Sequence, residues 1–174
     1  KFRINQHRPV NNPVALAHEI QNLLTSKNIR GMRKVSKFVP KGSYLRAAEL
    51  LKNNNKVVFI GTGFPVNESF ETDGPLGAIA LYNCIKELGG EAFIVCDEPL
   101  FTAINDKFNT IKIEHGKDSS EALLRKYNPS LLISIERPGK NQDSRYYNMR
   151  GIDITEKCAD FDEIFENSSC PKKS

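Results

Sequence analysis

Two acids, Glu71 and Asp73, stand directly ahead of a helix start in the stretch "GTGFPVNESFETDGPLG", residues 61–77. Further acids fall at the ends of apolar runs: Asp97 and Glu98, Glu114 beside His115, and Glu136 beside Arg137. Converging carboxylates suit two kinds of chemistry. One of them can act as a general base toward an ammonium, or several can hold a hard divalent cation such as Mg²⁺ or Mn²⁺. Glu71 and Asp73 differ by two positions, so an extended loop would project them to the same side. Asp73 and Glu136 are the expected cation ligands. An N-cap role for Asp73 accounts for one acid, but not for Glu71, Asp97 and Glu136 together.

Cationic groups follow. Arg137, Arg145 and Arg150 carry guanidinium groups suited to gripping a substrate carboxylate bidentately. The helix that starts near Gly74 offers free N–H groups to an anion as well. The Gly61-Thr62-Gly63 turn resembles a dinucleotide-binding turn only in part. Phe64-Pro65-Val66 follows it, the third glycine is missing, and the helix begins well downstream. An acidic loop would also repel a pyrophosphate, so a nucleotide-binding module is the weakest reading. The residues alone point to a small anionic ligand, with or without a metal.

The elements that must position these groups form a regular series. Residues 14–26 and 43–52 have helical apolar spacing, with a basic connector between them. In that connector Arg30 and Arg33 either face solvent or meet an acidic ligand or a further part of the protein. From residue 56 the pattern changes to strand and helix in turn: "KVVFIG", then a helix over 74–88 with Leu76, Ile79, Ala80, Cys84, Ile85 and Leu88 along its apolar face. "EAFIVC", a helix-like 98–107, "TIKIEH", a helix over 119–128 and "LLISIE" complete the series. Short β-branched strands alternating with helices predict a mostly parallel sheet with helices on both faces. This is a Rossmann-like three-layer α/β fold with an N-terminal helical lead-in. The reading is one domain over 1–174: a lead-in at 1–55, a βα core at 56–154 and a frayed tail at 155–174. Open α/β sheets bind ligands beyond the carboxyl ends of their strands, and the acids stand at those ends.

Composition narrows the class. The 174 residues suit one domain, and a net charge of +4 is too mild to argue for nucleic acid, although Glu19 is the lone acid of residues 1–41. The longest apolar runs fall short of a membrane span. The chain starts at Lys1, consistent with removal of a leader. Cys84, Cys96, Cys158 and Cys170 lack metal-like spacing. Cys84 and Cys96 read as small core residues, and a reducing compartment fits.

The blocks Thr62-Gly63-Phe64, Glu71-Thr72-Asp73-Gly74-Pro75 with Gly77-Ala78, Glu136-Arg137-Pro138-Gly139, Asp143, Tyr146-Tyr147-Asn148 and Arg150 resemble, in order and spacing, the C-terminal catalytic-type domain of the D-glutamate cyclase family. The resemblance covers most of residues 20–165. It implies a lyase that converts D-glutamate to 5-oxo-D-proline and water, located in the mitochondrial matrix in a eukaryote and in the cytoplasm otherwise. On that footing Asp73 or Glu71 is the expected general base. Arg137, or a divalent cation on Asp73 and Glu136, would offset charge on the attacked carboxyl group. Arg145 or Arg150 would clamp the α-carboxylate, and Thr62, Gly63, Gly74 and Asn148 would complete the substrate surface. Family members continue with a glycine-rich Gly-Asp-Gly-Gly-Asn-Glu block, where this sequence has "FENSSCPKKS". The resemblance therefore reaches the first half to two-thirds of the domain. The alternative expectation is a truncated, non-catalytic homologue that binds a small anion or a partner chain, with an unpaired sheet edge inviting association.

Overall fold

A run of β-branched and aromatic residues with no charge, Val57–Thr62, forms the central strand because both its faces meet other layers. In the computed structural model, which describes residues 12–116 and 119–173, this strand is β1. Its neighbours are β4 (Glu91–Cys96) on one side and β6 (Leu131–Ile135) on the other. β5 (Thr110–Lys112) lies outside β4 and β7 (Lys172–Lys173) outside β6, giving the order β5-β4-β1-β6-β7. Every pairing in this sheet is parallel. The register sets Thr62 opposite Ile135 and Gly61 opposite Val95, so the carboxyl ends of β1, β4 and β6 finish at one edge. A small antiparallel hairpin, β2 (Pro65–Val66) and β3 (Ser69–Phe70), folds inside the loop after β1.

Side chains alternate across β1 and so build two layers of core. Phe59 joins Val95, Ile111 and Leu132 in one cluster. That cluster is closed by α6 (Ser120–Tyr127) through Leu123, Leu124 and Tyr127, and by α7 (Phe161–Asn167) through Phe161 and Ile164. Val58 and Ile60 point the other way, where α4 (Asp73–Glu87) crosses β4, β1 and β6. A short helix, α5 (Leu100–Ile104), packs against β5. The expected α/β arrangement, a parallel sheet with helices on both faces, is the one observed.

The chain divides into two compact units at Leu51–Lys52. In the first, α1 (Pro13–Thr25) begins with Pro13 and is capped by Asn12, whose Oδ1 accepts from Ala15 N at 3.0 Å. The one-turn α2 (Met32–Val35) follows, and then α3 (Ser43–Asn53). The connector folds on itself: Arg33 takes Asn28 Oδ1 on its backbone N–H and donates its guanidinium to the Ser26 carbonyl.

Three expectations are corrected. Residues 155–173 are not a frayed tail. Thr155–Lys157 makes a 3-10 turn, α7 inserts Phe161 (3 % exposed) into the core, and β7 adds an edge strand. Phe161 fits because Gly61 leaves room for its ring: a Cβ there would lie 2.3 Å from two ring carbons. The buried face of α4 is Gly74, Pro75, Ala78, Tyr82 and Ile85, while Leu76 is 68 % exposed. Cys84 is likewise exposed, whereas Cys96 is buried as expected.

Candidate active site

The loop after β1 is held at both ends. Gly63 takes a left-handed φ of +78°, which glycine adopts without a Cβ penalty. Glu71 N then donates to the Phe64 carbonyl at 3.0 Å, closing the loop over the β2–β3 hairpin. Thr72 turns helical (φ −108°, ψ −20°), so the segment is not extended at this point. Glu71 therefore curls back over the start of α4 and accepts from the backbone N–H of Asp73 and, at 2.9 Å, from that of Gly74. The anion site expected at this helix start is thus filled by the chain's own carboxylate, which the free N–H groups and helix dipole favour. Asp73 enters the helix and is exposed.

Gly74 is the point on which three strands' worth of site residues converge. A Cβ on it would lie 2.5 Å from Glu136 Cβ, 2.9 Å from Glu71 Oε2 and 2.9 Å from Thr62 Oγ1. Thr62 is fully buried, and its hydroxyl has no hydrogen-bond partner among the described residues. Glu136, at the end of β6, holds a left-handed φ of +50°. For a residue with a Cβ this costs about 1–2 kcal/mol, strain of the kind that gathers at functional sites.

Arg137 lies behind them, its side chain 2 % exposed. Its guanidinium donates to both Asp97 oxygens (3.3 and 2.9 Å), to the Gly63 carbonyl at 2.8 Å and to the Ala159 carbonyl at 2.8 Å. Burial opposes the charge, but the Asp97 carboxylate beside it raises the Arg137 pKa above its ordinary value. Burial also pushes the neighbouring thiols of Cys96 and Cys158 up to about 12.

The segment after β6 supplies the facing wall. Tyr146 is buried, its N–H on Thr155 Oγ1 at 3.0 Å, and burial with nearby Asp162 raises its phenol pKa. Asn148 Oδ1 accepts from Arg150 N at 2.9 Å and Ile152 N at 3.0 Å. This turn fixes the Asn148 amide and presents Tyr147 and Arg150. Arg145 is turned away and pairs with Asp153 through Nε and Nη2.

Together these groups enclose a cavity of about 510 Å³. Glu71, Glu136, Arg137, Asn148 and Arg150 line it, with Phe64, Val66, Tyr147 and Met149 as its apolar walls. Of the residues expected from sequence, Asp73 and Arg145 are not among its lining, and Thr62, Gly63 and Gly74 support it from behind. Glu136 shares the cavity lining with Glu71 and not with Asp73. Among the described residues no three His, Cys, Asp or Glu side chains come together in one cluster. Sequence reasoning missed the Asn148 turn, though Asn-x-x-Gly at 148–151 is a turn signal.

Residues 20–172 match the family described as D-glutamate cyclase-like, C-terminal. The chain belongs to this family. Among curated relatives it is 28 % identical over 184 residues to D-glutamate cyclase, mitochondrial, from Homo sapiens. That alignment covers 86 % of this chain and 30 % of the human protein, so the D-glutamate cyclase-like chain described here spans under a third of that relative's length. Among the described residues of the D-glutamate cyclase-like chain, no helix is long and apolar enough to cross a membrane.

Proposed function

We propose that the cavity between Glu71 and the 147–152 turn is a cyclisation site that converts D-glutamate to 5-oxo-D-proline with loss of water. The observation that carries this reading is the pairing of two carboxylates, Glu71 and Glu136, with Arg150 and Asn148 across one cavity. Family membership and the printed name of the human relative support the substrate. The same name supports a mitochondrial location for a eukaryotic source.

The chemistry needs a neutral amine near its own side-chain carboxyl carbon. Arg150, assisted by the Asn148 amide, clamps the α-carboxylate, and Glu71, fixed by the helix N–H groups, accepts a hydrogen bond from the ammonium. Glu136, whose carboxylate has no partner among the described residues, removes the ammonium proton as general base. The amine nitrogen then bonds to the side-chain carboxyl carbon and gives up a second proton. One carboxyl oxygen collects both protons and leaves as water, so no net proton is consumed. Holding amine and carboxyl in contact supplies most of the rate gain. Arg137 takes a positioning role, since its Nη groups are committed to Asp97 and two carbonyls.

A time course with ¹³C-labelled D-glutamate, with and without Mn²⁺, tests the reading. Lactam carbon signals growing in proportion to protein are expected. Saturable broadening of glutamate without lactam would replace the cyclase by a binding shelf for a small anion. An unchanged spectrum from folded protein would overturn both.

A further inference from the structure

A second cavity, of about 560 Å³, opens at the same sheet edge beyond the ends of β4 and β5. His115 lines it, and its ring is oriented from behind. Nδ1 lies 3.1 and 3.2 Å from the two carboxylate oxygens of Asp160. Asp160 is in turn fixed by Gly116 N at 3.0 Å and Lys140 Nζ at 3.1 Å. In the neutral ring this arrangement puts the proton on Nδ1 and leaves the lone pair on Nε2. Nε2 has no hydrogen-bond partner among the described residues.

The walls say what such an acceptor would meet. Pro99 and Ile113 are apolar, while Glu68, Glu98, Glu114 and Glu156 outnumber Lys157. Lys112 bridges Glu98 and Glu114 at 3.3 and 2.9 Å, and Asp97, also on the wall, is neutralised by Arg137. The surplus is still negative. An anion is repelled there, and carboxylates alone would not mark a site, but an oriented imidazole acceptor inside an apolar-floored cavity selects a donor. We propose that this cavity is a second ligand site, for a small organic ammonium, one of whose N–H groups bonds to His115 Nε2. The site is separate from the glutamate cavity: the lining of the two overlaps only at Asn67.

The sequence has three histidines, His7, His18 and His115, so ring ¹⁵N spectra are simple and His115→Gln assigns the signal. Titration of the full chain with 1,4-diaminobutane is expected to shift His115 Nε2 saturably while His18 stays put. Asp160→Asn should weaken the effect roughly five- to tenfold, the scale of one hydrogen bond. Arg150→Ala should leave it intact, which separates this proposal from the cyclase reading. A His115 signal that fails to move, or that moves in step with His18, would overturn it. So would an equal shift with D-glutamate, which would merge the two sites.

Discussion

Arg137 and Asp97 meet at 2.9 Å between Nη2 and Oδ2, with one cavity on either side of them: Arg137 lines the first and Asp97 the second. The pair also takes in the Gly63 and Ala159 carbonyls and the Ala159 N–H, which donates to Asp97 Oδ2 at 2.9 Å. It therefore ties the ends of β1, β4 and β6 to the chain entering α7. A buried pair adds little net stability, yet breaking it leaves one charge stranded. Arg137→Met or Asp97→Leu alone is expected to cost about 3–5 kcal/mol in denaturant unfolding. The double variant should cost less than the sum. Additive losses would mean that the two side chains act independently.

Within the cyclase reading, the carboxylates should separate by their place in the cavity. Glu136→Gln is expected to lower kcat by about 10²–10⁴, the usual share of a general base. Arg150→Ala should act mainly on KM, and Asp73→Asn should leave both nearly unchanged, because Asp73 is outside the cavity lining. A large kcat loss in Asp73→Asn with a normal Glu136→Gln would reverse the assignment.

Gly61 sets the distance between β1 and α7. Gly61→Ala places a methyl group against the Phe161 ring. The ring must shift, and overpacking of this kind costs about 1–3 kcal/mol. Adding Phe161→Leu should recover part of the loss. Failure to recover any of it would trace the cost to the strand rather than the ring.

The thiols offer a check that is independent of function. Cys84 is exposed, whereas Cys96 and Cys158 are buried with pKa values pushed up to about 12. Since the thiolate is the reactive form, a thiol reagent at pH 8 should label Cys84 quickly in the native protein. Cys96 and Cys158 should react only on unfolding. Fast native labelling of either one would contradict the packing around Arg137.

How far the sequence discloses this arrangement depends on the kind of signal. β1 is legible because a buried parallel strand needs a continuous apolar run, and "VVFIGT" is one. The inward face of α4 is not, because small residues, Gly74 and Ala78, meet the sheet while large Leu76 stays outside. α7 is hidden in an acidic stretch in which Phe161 and Ile164 are the working residues. In the site, Glu71, Glu136, Asn148 and Arg150 come from separate motif blocks and line one cavity. The two-residue spacing of Glu71 and Asp73 misleads, since Thr72 is turned rather than extended. Arg145 is claimed by Asp153 and His115 by Asp160, partners that no local pattern discloses.

The Asp160 node predicts how the fold responds to acid. Burial tends to raise its pKa, but the Gly116 N–H and Lys140 more than offset this and hold it below the ordinary carboxylate value. Asp153 is lowered as well, by Thr155 and then Arg145. A carboxylate whose folded pKa lies below its unfolded one leaves the unfolded chain binding more protons in between, so stability falls as pH falls. The contribution is complete above the unfolded values, near pH 4, and disappears as pH drops through the folded ones. Chemical denaturation between pH 7 and pH 2 should show a loss beginning near pH 4. Asp160→Asn, already lacking the titrating group, should show a shallower loss over the same window. An identical slope in the variant would remove Asp160 from the acid response and leave Asp153 and the other carboxylates to account for it.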